Sequence, residues 1–129
     1  MNYIKTYLIA GGVYWIIDFL WLTIVAQKFY QQQLGKMLAD KIRWPAAAIF
    51  YFLYPVGVII FAVMPGVKEQ SLIRSLILGA LFGYFTYSTY DLSNYITLKG
   101  WPLKVVIVDI LWGIFVSTLV ALVGYLVTS

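Results

Sequence analysis

Residues 102–127 read PLKVVIVDILWGIFVSTLVALVGYLV, an almost unbroken apolar run whose only charged residues are Lys104 and Asp109. A helix that crosses a bilayer needs about 20 mostly apolar residues, and this stretch exceeds that length. Its apolar residues are continuous and do not alternate with polar ones, which favours a helix over a membrane strand. The stretch therefore predicts a membrane-spanning helix.

The whole chain shares this apolar composition. Of its 129 residues, 63% are hydrophobic and 11% are charged, whereas about 25% are charged in an ordinary soluble domain. A soluble domain of this size has too much surface for its volume to bury so many apolar side chains. Aromatic residues, which favour bilayer interfaces, make up 19%. The composition predicts one membrane domain, residues 1–129, with lipids as its main partners.

Further runs of the same kind predict an all-α fold, an integral membrane four-helix transmembrane bundle. The expected spans are about Thr6 to Ala26, Trp44 to Met64, Leu72 to Leu92 and Pro102 to Val127. The first run is expected to be a span and not a cleaved signal peptide, because it contains Asp18 and is long enough to cross.

The connections between the spans carry turn signals and most of the charge. Residues 27–43 are polar and predict a short interfacial helix, and Pro65-Gly66 predicts a turn. Six of the nine Lys and Arg residues lie in or beside the first and third connections. Because positive residues favour the cytoplasmic side, residues 27–43 and 94–101 are predicted to be cytoplasmic.

Several functions are excluded by the residue types present. The chain has no Cys and no His, which excludes disulfides, thiol chemistry, cysteine-type zinc sites and histidine-ligated haem. We predict no metal site and no cofactor. The net charge of +4 lies in the connections, where it suits anionic lipid head groups and forms no nucleic-acid-binding stripe.

Three aspartates lie within the predicted spans, where an ionisable residue costs about 2.5–3.5 kcal/mol. Asp18 and Asp109 lie about 12 Å and about 10 Å from their span ends at 1.5 Å per residue. Asp91, at the predicted end of the third span, is expected to reach water and to act as a cap or as a hydrogen-bond acceptor for Asn94 and the third connection. All three lie toward the same membrane side, and function is predicted to depend more on Asp18 and Asp109 than on Asp91.

Residues four apart share a helical face, and such residues flank each aspartate with small or aromatic groups. Asp109 is followed by Gly113 and Ser117, and Asp91 is preceded by Tyr87 and Gly83. Small residues at this spacing allow membrane helices to approach closely, so each aspartate is predicted to face a neighbouring helix. The predicted binding residues around one shared polar cavity are Asp18, Asp91, Asp109, Tyr14, Tyr87, Asn94, Trp21 and Trp112. No catalytic residue is assigned.

A simpler interpretation is that the aspartates are structural. Each accepts hydrogen bonds from Tyr, Trp or Asn, or pairs with a basic residue of the connections, and so locks the bundle together. Under that interpretation the Trp residues near span ends are interface anchors. A separate regularity is that residues 17–21, IDFLW, and residues 108–112, VDILW, share an apolar-Asp-apolar-Leu-Trp pattern.

The densest polar stretch, residues 86–102, reads TYSTYDLSNYITLKGWP. It resembles the Tyr-Asp-Leu-Ser/Thr-Asn, Thr-Leu and Trp-Pro signature of an uncharacterised family of short, four-span bacterial membrane proteins, defined as a domain of unknown function. Asp109-x-x-Trp112-Gly113 and Asp18-x-x-Trp21-Leu22 are similar to that family's last-span and first-span motifs. The resemblance covers nearly the whole chain. It implies a multi-pass protein of the bacterial inner membrane and implies no established activity.

Three functional hypotheses remain open, and the sequence does not settle whether the chain is an enzyme. The first is a small transporter-like protein that binds a proton, a cation or a small polar solute at the aspartates, as a homodimer, since such short chains usually dimerise to make a path. The second is a lipid-modifying enzyme or a lipid-binding accessory protein, with the aspartates holding Mg²⁺ and a lipid phosphate. The third is a structural or assembly role.

Overall fold

A computed structural model describes residues 2–129, and helices account for nearly all of them, with no strand in that range. Helix α1 (Tyr3–Leu20) continues into a π-helical segment (Trp21–Val25), and the short helix α2 (Gln27–Leu34) is followed by a 3₁₀ turn (Gly35–Met37). Helix α3 (Trp44–Val58) continues through a second π-helical segment (Ile59–Val63) into α4 (Met64–Lys68). Two long helices, α5 (Leu72–Thr97) and α6 (Leu103–Thr128), complete the described fold. The predictions of an all-helical fold and of a short helix after the first span are confirmed.

Three helical segments in the described part of the chain are long and apolar enough to cross a membrane: Tyr3–Val25, Trp44–Lys68 and Leu103–Thr128. Helix α5 has 26 residues and is about 39 Å long at 1.5 Å per residue, so its length also suffices. Its second half is rich in hydroxyl side chains, which lower the mean hydropathy of the helix. The fourth crossing therefore stays a prediction.

Helices α5 and α6 form the most extensive helix pair, and glycines bring them together. A Cβ atom at Gly79 would lie 2.7 Å from the Cβ of Ala121, and one at Gly83 would collide with the carbonyl oxygen of Gly113. Gly113 in turn lies under the ring of Tyr87. The absence of side chains at these glycines allows the two backbones to approach closely, as the spacing of small residues predicts.

Helix α6 is the centre of the bundle, because it also packs against α1, α3 and α4. One apolar cluster joins α1, α3 and α6 through Tyr14, Val58 and Val116, all fully buried. The outward faces of the long helices carry many exposed Ile, Leu and Phe side chains, as expected for helices whose surroundings are lipid.

The turn predicted at Pro65-Gly66 is wrong, because both residues lie within α4. Proline lacks an N–H and disturbs the hydrogen bonds of the preceding turn of a helix, and here the preceding turn is the π-helical segment Ile59–Val63, through which the helix continues. Gly66 packs against α5, where a Cβ atom would collide with the Ser75 side chain. The chain turns instead at Glu69–Gln70, and Gln70 has a φ of 54°.

Candidate functional site

The carboxylate of Asp18 is held by two donors from other helices. The hydroxyl of Tyr51, on α3, donates to Oδ2 at 2.6 Å, and the indole Nε1 of Trp112, on α6, donates to Oδ1 at 3.0 Å. Asp18 is only 5% exposed. Both of its oxygens are therefore satisfied by neutral groups, and no Lys or Arg in the described chain pairs with it.

Asp109 is held from the opposite direction, by the short helix α2. The hydroxyl of Tyr30 donates to Oδ1 of Asp109 and accepts a hydrogen bond from Nε1 of Trp21 at 3.2 Å. Burial and the hydrogen bond to Asp109 raise the pKa of Tyr30, so this hydroxyl keeps its proton and acts as a donor. The π-helical segment that starts at Trp21 precedes α2. Helix α2 places the Tyr30 hydroxyl beside Trp21, just after the end of α1.

The repeated Asp-x-x-Trp pattern is explained by crossed hydrogen bonds, in which the indole of each motif connects to the aspartate of the other motif. Residues three apart lie on one helical face, so each motif presents an aspartate and an indole together. Trp112 of the second motif donates to Asp18 of the first, and Trp21 of the first reaches Asp109 of the second through Tyr30. The two indoles stack with centroids 4.3 Å apart and planes 6° apart. This reciprocity fixes both carboxylates relative to each other.

Asp91 does not lie at a helix end, and the expectation that it reaches water is wrong. Helix α5 continues to Thr97, and Asp91 is fully buried between α5 and α6. It lies opposite Asp109 of α6, one helical turn beyond the contact between Tyr87 and Gly113, and neither of its carboxyl oxygens has a hydrogen-bond partner among the described residues. The hydroxyl-rich sequence around it is helical, since Thr86, Thr89 and Thr97 return their hydroxyls to carbonyls one turn earlier.

A cavity of about 790 Å³ adjoins Asp18 and Asp109. Most of its wall is aromatic, and the aromatic residues are Trp21, Tyr30, Phe50, Tyr51, Tyr54, Tyr87, Tyr90, Trp101 and Trp112. No Lys or Arg of the described chain lines it. Because exposed Gln27 and Gln31 also line it, the cavity reaches the surface of the molecule beside α2.

The structure brings together five of the predicted binding residues on this cavity wall: Asp18, Trp21, Tyr87, Asp109 and Trp112. Asp91 is adjacent to Asp109 but is not on the wall. Tyr14 is fully buried beneath it, stacked on Tyr54 with centroids 5.1 Å apart. Asn94 is half-buried beside Tyr90 on α5 and does not itself line the cavity. The prediction that each aspartate faces the protein interior is confirmed, and a binding role for these residues stays a prediction.

Sequence reasoning missed the phenols that hold the carboxylates. Tyr30 lies in a polar connection, and Tyr51 lies in an aromatic-rich span, so neither has a distinguishing pattern. A signal was available for Tyr51 and Tyr54, because a tyrosine near the middle of an apolar span needs a partner for its hydroxyl. Tyr54 finds one in Ser117 at 2.6 Å. No group of three or more metal-binding side chains occurs in the described part of the chain.

A family model described as Predicted membrane protein (DUF2177) matches residues 3–126. This confirms the resemblance to a membrane-protein family of unknown function. No curated protein and no solved structure matches the chain.

Proposed function

The chain belongs to this family of predicted membrane proteins, and we propose that it is a transporter-like protein that binds an organic cation in the cavity beside Asp18. The observation that supports this most directly is the pair of neutral hydrogen-bond donors on the Asp18 carboxylate. Tyr51 and Trp112 donate to its two oxygens, and such hydrogen bonds favour the charged form. Neither donor carries a positive charge, so the charge of the carboxylate is left for a ligand to neutralise.

The energetics of burial support a cationic ligand. A buried carboxylate with no counter-charge is costly, and no basic residue of the described chain lines the cavity. A cation that enters the cavity lowers this cost by pairing with Asp18. The same wall disfavours a lipid phosphate, because Asp18 and Asp109 would repel it and no Lys or Arg is there to bind it.

The aromatic wall favours an organic cation over a hydrated metal ion. Aromatic faces attract cations within about 6 Å of the ring centroid, and the stacked pair Trp21–Trp112 and the ring of Tyr87 line the cavity. A volume of about 790 Å³ lies within the range of about 300–1,000 Å³ of small-molecule sites. A ligand with a delocalised or shielded positive charge and apolar substituents matches this combination.

We further propose that all four long segments cross the membrane of a bacterial cell, with residues 27–43 and 94–101 in the cytoplasm. The count of Lys and Arg supports this orientation. Both connections and the mouth of the cavity beside α2 would then face the cytoplasm, so the ligand would enter from that side.

The absence of native cysteines makes this topology directly testable. Single cysteines at the exposed positions Gln32, Gln70 and Thr97 are treated in intact cells with a membrane-impermeant maleimide. We expect labelling at Gln70→Cys and protection at Gln32→Cys and Thr97→Cys until the cells are opened. If Gln70→Cys and Thr97→Cys are labelled alike from outside, α5 does not cross and the proposed topology is wrong.

A series of ligands with one shape and different charges tests the proposed function. Tetraphenylphosphonium, tetraphenylmethane and tetraphenylborate have the same tetrahedral arrangement of phenyl rings and carry a positive charge, no charge and a negative charge. We expect the purified protein to bind the cation, as measured by calorimetry and by quenching of tryptophan fluorescence, and to reject the anion. Equal binding of all three would indicate an apolar lipid-like site and would contradict a cation site.

A further inference from the structure

Asp91 and Asp109 form a pair of carboxyl groups whose surroundings differ from those of Asp18. Asp91 is fully buried and Asp109 is 8% exposed. The packing of α5 on α6 places the two residues opposite each other, one helical turn beyond the contact between Tyr87 and Gly113. One oxygen of Asp109 accepts from Tyr30, whereas both oxygens of Asp91 lack a partner in the described chain. No Lys or Arg in the described residues forms an ion pair with either group.

Two adjacent carboxylates in an apolar interior repel each other, and an ionised carboxylate without donors is costly to bury. None of the described groups that face the pair brings a positive charge. Tyr30 from α2 and Tyr87 and Tyr90 from α5 are neutral phenols, Trp101 is a neutral indole, and Asp18 from α1 adds a further negative charge. A single proton on the pair removes one charge and supplies the missing hydrogen bond, because a protonated carboxyl group donates to a carboxylate.

We therefore propose that Asp91 and Asp109 share one proton and form a proton-binding site separate from Asp18. The pair releases this proton when a cation occupies the cavity. The O–H bond of the shared proton breaks, and the proton passes to water at the mouth of the cavity. The pair gains one negative charge as the ligand brings one positive charge, so the net charge of the site is unchanged. The release rests on the proposed function, whereas the shared proton does not.

Asp109 links the two sites. It lines the cavity, and Asp91 does not, so an incoming cation interacts first with Asp109. The cation stabilises the ionised form of Asp109. Because the charge of the pair is then balanced by the cation, the pair binds its shared proton less tightly and releases it. Asp18 has two hydrogen-bond donors, whereas both oxygens of Asp91 lack one among the described residues, which distinguishes the role of Asp18 from that of the pair.

Infrared spectra of the full chain in lipid, recorded without ligand at neutral pH in H₂O and in D₂O, test whether the pair shares a proton. We expect the carbonyl band of a protonated carboxyl group, which shifts in D₂O. Asp18→Asn is expected to keep this band. Asp91→Asn is expected to lose it, because the new amide donates to Asp109 and gives that carboxylate two donors, as Asp18 has. The proposal is overturned if the wild type lacks the band, if Asp18→Asn removes it, if Asp91→Asn retains it, or if sodium ions abolish it at constant pH.

The release is tested with tetraphenylphosphonium in weakly buffered solution containing a pH-sensitive dye. We expect a proton to appear for each cation bound by the wild type, and none for Asp91→Asn at saturating ligand. Binding without release in the wild type overturns this half of the proposal. If the cation does not bind at all, the proposed function and the release both fail, and the infrared band still decides whether the pair holds a proton.

Discussion

The variant Asp18→Asn is expected to bind tetraphenylphosphonium about 100-fold or more weakly than the wild type. Removing one member of a buried charge pair costs about 3–5 kcal/mol, and each 1.4 kcal/mol is about tenfold in affinity. The fold should survive the change. The new amide oxygen accepts from Trp112, and the amide nitrogen donates to the hydroxyl of Tyr51, which reorients to accept. The dissociation constant, measured by calorimetry in the same lipid or detergent, gives the comparison.

The matched control is Asp40→Asn, the same change at an exposed aspartate in the polar connection. It removes one negative charge from the molecule without touching the cavity, so its affinity should equal that of the wild type. If Asp18→Asn binds as tightly as Asp40→Asn, the charge of Asp18 is not used and the cation site is elsewhere. If Asp18→Asn folds and binds as tightly as the wild type while Asp18→Leu fails to fold, the aspartate acts as a structural lock, as the simpler sequence interpretation holds.

The variant Gly83→Ala is expected to destabilise the bundle by about 3 kcal/mol, toward the upper end of the cost of overpacking. Its Cβ atom would collide with the carbonyl oxygen of Gly113 and would lie 2.8 Å from Oγ of Ser117. A backbone carbonyl cannot rotate away as a flexible side chain does, so α5 and α6 must separate. Because α6 carries Asp109, the separation should also weaken ligand binding. Equilibrium unfolding in mixed micelles measures the loss of stability.

The matched control for this change is Gly12→Ala on α1, where nothing lies within 4 Å of the added Cβ atom. Alanine is favoured over glycine in a helix by about 1 kcal/mol, so this variant should be as stable as the wild type or slightly more so. If the two variants have the same free energy of unfolding, the close approach of α5 and α6 does not support the fold as described.

Much of the architecture could be predicted from the sequence, because its physical cause is local. Continuous apolar runs predict the helices, and small residues every four positions predict the close contact between α5 and α6. The cost of a lipid-facing carboxylate predicts that Asp18, Asp91 and Asp109 face inward. These inferences need only composition and spacing along one helix.

The partners of the carboxylates could not be predicted, because they depend on how the helices are rotated and on the path of a connection. Tyr51 reaches Asp18 across 33 positions and Trp112 across 94, and neither spacing follows a local rule. The depth of Asp91 was misjudged for a related reason. The polar side chains around it resembled a helix end, but several of their hydroxyls bond to backbone carbonyls within α5 and are compatible with a continuing helix.

The crossed hydrogen bonds between the two Asp-x-x-Trp motifs have a consequence for biogenesis. During synthesis α1 emerges first, and its Asp18 has to enter the bilayer long before its second donor exists. Tyr51 becomes available when α3 is made, and Trp112 only later, when α6 is made. Asp109 arrives with α6 and finds Tyr30 already in place. Until then the nascent chain carries a carboxylate that lacks one of its two hydrogen-bond donors, so insertion of α6 is the step that completes the polar interior.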